Sequence, residues 1–70
     1  MKRAELLRAI SRAARARKLS VHLERRARHG ELFRIGSVLI EIPRHRDIGL
    51  KTTFAIRREL ETVLGKDWWR

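Results

Sequence analysis

The spacing of apolar positions starts at three and four, switches to two near Leu19, and returns to three and four after Ile48. Leu6, Leu7, Ile10, Ala13 and Ala14 predict a helix from about Lys2 to Arg17, with arginines over its outer face. Leu19, Val21 and Leu23 then alternate with Ser20, His22 and Glu24, the pattern of a half-buried strand. The polar break RRARHG follows. Phe33 and Ile35 alternate next, and Val38, Ile40 and Ile42 share one face of a third strand. Between these two runs lies Gly36-Ser37, and glycine in the first place of a two-residue loop suits a type II′ hairpin. Pro43 has no N–H for a ladder and ends the third strand. After PRHRDIG, Thr53, Ile56, Leu60 and Leu64 form the inward stripe of a second helix over 50–64, with Gly65 placed to stop it.

The predicted order is α-β-β-β-α. Three antiparallel strands carry apolar residues on one face, and two amphipathic helices can cover that face while the other stays wet. The expectation is an α+β two-layer sandwich, with residues 1–70 as a single domain. A chain this short buries only about 60% of the surface its unfolded form exposes, so every element has to contribute to the same core. Residues 1–18, arginine-rich and alanine-rich, resemble a mitochondrial transit peptide. Their removal would leave a single helix against a half-covered sheet, so they are expected to be a permanent helix of the fold.

Charge changes the picture from fold to partner. Eighteen Lys and Arg against eight Asp and Glu give a formal net charge of +10, a large positive field for so small a domain. Fourteen of those cations are arginine, whose planar fork suits bidentate phosphate contacts. A merely solvated basic face is the bland alternative; nucleic acid, or an acidic protein that mimics it, is the favoured partner. Arg25, Arg26, Arg28, Arg34, Arg44 and Arg46 come from the sheet and its two flanking turns. They make one phosphate-binding patch if those turns lie at the same end.

There are no cysteines, so neither disulfides nor thiolate metal sites support the fold, which is compatible with a reducing cytoplasm. No apolar run approaches a membrane span, and no membrane partner is expected. The three histidines lack metal-ligand spacing, so no metal or other cofactor is expected. Among them, His29 stands in the arginine-rich break and has the side chain whose ordinary titration lies nearest pH 7. It is either a proton-transfer residue or the exposed residue of a turn. His45, in the PRHRD turn, either meets nucleic acid or caps the following helix, and His22 belongs on the outer face of the first strand. Trp68 and Trp69 either stack on bases or fold back onto the core or a partner, and a terminal apolar pair favours packing. A homodimer is compatible with these features.

The segment IPRHRDIGLKTTFAI, residues 42–56, resembles the stretch joining the last strand to the second helix in HicA-type toxins. The shared features are Ile42-Pro43-Arg44-His45, the acidic-Ile pair Asp47-Ile48, Thr52 at the helix start and Ile56 on the helix core. The tail LGKDWWR is similar to the ending of a subset of actinobacterial members. The resemblance implies a double-stranded-RNA-binding-domain-like fold, metal-independent mRNA cleavage in the cytoplasm as the toxin of a type II toxin–antitoxin system, and a HicB-like antitoxin as partner. It also implies a catalytic histidine at the entry of the second strand, three residues before an aromatic or apolar strand residue.

His29 departs from that pattern. Three residues before Phe33 stands Gly30, and Ala27 and Arg28 replace the motif's glycine and small polar residue. A slip of one residue turns a side chain to the other face of a strand. Two arrangements would restore the imidazole: a bulge at Gly30, or a place in the turn before pairing begins. If neither holds, the chain is a non-catalytic RNA-binding relative with the same fold. A DNA-binding or purely structural module is weaker, because no recognition helix with base-reading polar residues stands out.

Overall fold

Leu6, Ile10 and Ala14 are the buried residues of α1 (Arg3–Ala16), one seam of an otherwise arginine-covered helix. The computed structural model describes residues 1–70 and continues with β1 (Val21–Arg26), β2 (Gly30–Ile35), β3 (Val38–Pro43) and α2 (Leu50–Leu64). The strands form one antiparallel sheet in the order β1-β2-β3. On α2, Thr53, Ile56, Leu60 and Leu64 are buried, the stripe that its spacing predicts. These side chains meet Leu6, Ile10, Ala14, Ile35, Ile40, Ile42 and Ile48 in a single core. The molecule is a two-layer α+β sandwich with both helices on one face of the sheet. No helix is long and apolar enough to cross a membrane.

Local signals set most of the boundaries. Gly36 has φ +59° while Ser37 stays in the negative-φ region, the combination that a type II′ hairpin requires and a type I′ hairpin excludes. Gly65, at φ +94°, ends α2. The end of α1 has no glycine. Lys18 takes the left-handed conformation at φ +57°, with the Leu19 N–H on the Ala14 carbonyl and the Lys18 N–H on that of Arg15. This is a Schellman turn built on a lysine, at a cost of about 1 kcal/mol relative to a residue without Cβ.

Two strand features depart from the sequence pattern. Alternation predicts Leu23 to be inward and half-buried; it does share the inner face with Phe33, its cross-strand partner, but is 53% exposed. β1 is an edge strand, and α2 lies against β3 at the opposite edge, so β1 has little above it. The second departure is the bulge. It lies in β1 between Leu23 and Arg25, where Glu24 is the extra residue, and not at Gly30. The bulge twists an edge already guarded by Arg25 and Arg26, two devices that discourage edge-to-edge pairing.

Candidate nucleic-acid interface

Gly30 and Pro43 face each other across the β2–β3 ladder, so the turn entering β2 and the loop leaving β3 share one end of the sheet. The first turn, residues 27–29, is closed by the Ala27 N–H on the Gly30 carbonyl at 2.8 Å. Arg44 reaches back to it from the second loop. Its Nη1 donates to the Gly30 carbonyl at 2.9 Å and to that of Ala27 at 3.2 Å, and its Nη2 to that of Arg28 at 3.3 Å. One guanidinium therefore gathers the carbonyls of Ala27, Arg28 and Gly30, two on Nη1 and one on Nη2, a spread over two nitrogens that the single nitrogen of an ammonium does not offer. The residue expected to contact phosphate is first a clamp on the turn. Its Nε–H and one Nη2–H remain uncommitted.

Gly30 is needed for a different reason than a bulge. It is buried, pairs in register with Pro43, and does not have positive φ. A Cβ there would lie 2.4 Å from the Ile42 carbonyl oxygen, so the close approach of β3 is what demands glycine. His29 occupies the turn just before the first paired residue of β2, where strand alternation does not fix its direction. The imidazole is exposed, and none of the three ion pairs of the molecule includes it.

The start of α1 ties down the second loop. The Arg3 N–H donates to the Arg46 carbonyl at 2.8 Å, the Ile48 N–H donates to the Met1 carbonyl at 2.7 Å, and Lys2 bridges Asp47 through the backbone. The Arg3 guanidinium pairs with Glu31 and donates through Nε to the Pro43 carbonyl at 2.8 Å. No sequence argument singles out Arg3 among the arginines of α1, because its partners lie 28 and 40 residues away.

With Glu31 taken by Arg3, this end keeps Arg25, Arg26, Arg28 and Arg46 exposed and outside any ion pair, beside His29 and His45. Asp47 and Glu41 are the acids that remain near them, Glu41 in line with Arg25 across Leu32 in the sheet. Both helices also begin here, adding partial positive charge from unpaired backbone N–H groups. Arg34 stands apart: it pairs with Glu24, about 13 Å along β2 from Gly30 at the usual rise of a strand. It does not join the end cluster. His22 lies opposite Arg34, exposed, as its position in the strand predicts. His45 is exposed and does not cap α2, whose N-cap is Gly49 without a side-chain hydrogen bond.

At the other end of α2 the two tryptophans part ways. Trp68 packs against the core and donates its indole N–H to the Arg57 carbonyl at 2.9 Å. Trp69 stays 38% exposed. No group of three or more His, Cys, Asp or Glu is arranged to hold a metal ion. Comparison with known protein families, curated proteins and solved structures finds no match to this chain.

Proposed function

We infer that this chain is a small endoribonuclease of HicA type, a toxin that cleaves mRNA in the cytoplasm without metal or cofactor. A HicB-like antitoxin would silence it by covering the basic end. The observation that carries this reading is the exposed His29 in a turn that carries Arg28, directly follows Arg25 and Arg26, and is clamped by Arg44. RNA cleavage of this kind needs little more. His29 takes the proton from a ribose 2′-hydroxyl, the 2′-oxygen attacks the adjacent phosphorus to form a 2′,3′-cyclic phosphate, and the departing 5′-oxygen takes a proton from the resulting imidazolium or from water. Arg28, Arg46 and the uncommitted N–H groups of Arg44 stabilise the charge that builds on the phosphate oxygens. Clamping matters because a base held in a fixed place loses less in reaching the reactive geometry.

The decisive experiment is His29→Ala. It should abolish cleavage of an mRNA transcript and relieve growth arrest, with RNA affinity and melting temperature nearly unchanged, since the imidazole is exposed. Equal cleavage by wild type and His29→Ala would remove His29 from the chemistry. A second reading, a non-catalytic RNA-binding relative, is favoured by the lack of any carboxylate paired with His29 to orient its ring. Wild-type protein that binds RNA and never cleaves it would establish that reading instead.

A further inference from the structure

Arg57 is the one residue with a buried side-chain nitrogen, its Nε, that has no hydrogen-bond partner. Its guanidinium lies over the Trp69 ring at 4.1 Å from the centroid and over the Phe54 ring at 5.3 Å, and the Arg70 guanidinium lies 5.3 Å from the Trp69 centroid, so Trp69 is taken up by the protein's own cations. Two rings thus hold a cation that no acid neutralises, for Arg57 is in none of the three ion pairs. The rings themselves are half-open: Phe54 is 55% exposed and Trp69 is 38% exposed. Lys51, Phe54, Arg57, Arg58 and Trp69 line one shallow groove along α2, with Glu61 at its far end. Arg57 is committed to the rings, whereas Lys51 and Arg58 are exposed and outside any ion pair, and an open aromatic face beside free cations is what a protein uses to hold an unpaired base and its phosphate.

We propose that this face of α2 is a second RNA contact, binding a single-stranded nucleotide with its base on the open face of Phe54 and its phosphate on Lys51 or Arg58. The proposal rests on the reading of the basic end as an RNA-binding site and extends its track. α2 starts directly after the loop carrying Arg46, and Lys51, Phe54 and Arg58 recur at helical spacing away from it. Lys51 to Arg58 spans about 10 Å of helix, so the groove prolongs the cluster instead of duplicating it. The strand has to be single, because a base within a duplex offers no free face to a ring.

The test uses the 70-residue chain with a 2′-O-methyl oligouridylate of about a dozen nucleotides, unstructured and resistant to attack by its own 2′-oxygen. An abasic oligomer of equal length and sodium polyglutamate serve as comparison probes. Phe54→Ala should weaken oligouridylate binding at least about fivefold and leave abasic-oligomer binding and melting temperature unchanged. In a Trp68→Phe background, oligouridylate should quench Trp69 fluorescence and the abasic oligomer should not; wild-type emission is the readout should that variant fold poorly. Undiminished oligouridylate binding by Phe54→Ala, while Arg46→Ala weakens it, overturns the α2 contact and leaves the basic end standing. Absence of oligouridylate binding by wild type overturns both. Quenching by polyglutamate as strong as that by oligouridylate overturns the proposal in favour of an acidic protein partner.

Discussion

His29, Gly30 and Arg44 illustrate how single residues acquire roles that their identity alone does not assign. Gly30 is enforced by the Ile42 carbonyl, not by a left-handed backbone. Gly30→Ala should therefore destabilise the fold by about 1–3 kcal/mol as the strands are pushed apart. At about 4–8 °C per kcal/mol for a domain this small, thermal denaturation will show it, and an unshifted melting curve would contradict the close approach. Arg44→Ala should leave global stability within about 1 kcal/mol but release the carbonyls of Ala27, Arg28 and Gly30 from the guanidinium. Faster amide exchange at Ala27 is the expected signature, with cleavage impaired more than RNA affinity. Arg44→Lys should not rescue it, since a shorter side chain with its donors on one nitrogen does not match acceptors spread over Nη1 and Nη2. An unchanged exchange rate in Arg44→Ala would refute the clamp.

At the scale of elements, helices were the most legible. The periodic stripe of α2 matches its buried residues one for one, because a 3.6-residue repeat needs only one apolar partner surface. The strands were harder. Alternation gave Leu23 the right face but not its exposure, because how far a helix overhangs an edge strand is a matter of layer packing. The segment after α2 was legible only as a pair of tryptophans, and packing divided them. Deleting residues 67–70 should lower stability by about 1–3 kcal/mol, the contribution of one half-buried indole with a bonded N–H. Trp69→Ala alone should cost under about 1 kcal/mol, because its ring meets a cation and solvent more than core. Differential scanning calorimetry of the two variants separates these outcomes, and equal destabilisation would contradict the division of roles.

Across the whole molecule, the excess of positive charge is not evenly useful. Arg3 is committed to Glu31 and Pro43, Arg34 to Glu24, and Arg44 to the turn, whereas Arg25, Arg26, Arg28 and Arg46 remain uncommitted at one end. RNA affinity should fall linearly with salt on a logarithmic plot, and Arg46→Ala should flatten the slope by about 0.7 for each phosphate it no longer neutralises. Arg34→Ala should leave the slope nearly unchanged. A wild-type slope near zero would point to an acidic protein in place of nucleic acid. Equal effects of the Arg34 and Arg46 variants would mean that charge acts here only in bulk.

Local chemistry was enough to place both helices, the Gly36 hairpin and the stop at Gly65, because each depends on a periodicity or a backbone preference carried by neighbouring residues. The sequence also announced a basic, cysteine-free domain with one histidine among arginines. It did not distinguish one arginine from another. That distinction depends on contacts between residues distant along the chain: Arg44 with the 27–29 turn, Arg3 with Pro43 and Glu31, and Gly30 with the Ile42 carbonyl. A guanidinium reads the same in any sequence. Only the fold decides whether its donors meet a carbonyl, a carboxylate, an aromatic face or open solvent, and so whether it holds the protein together or remains free for a ligand.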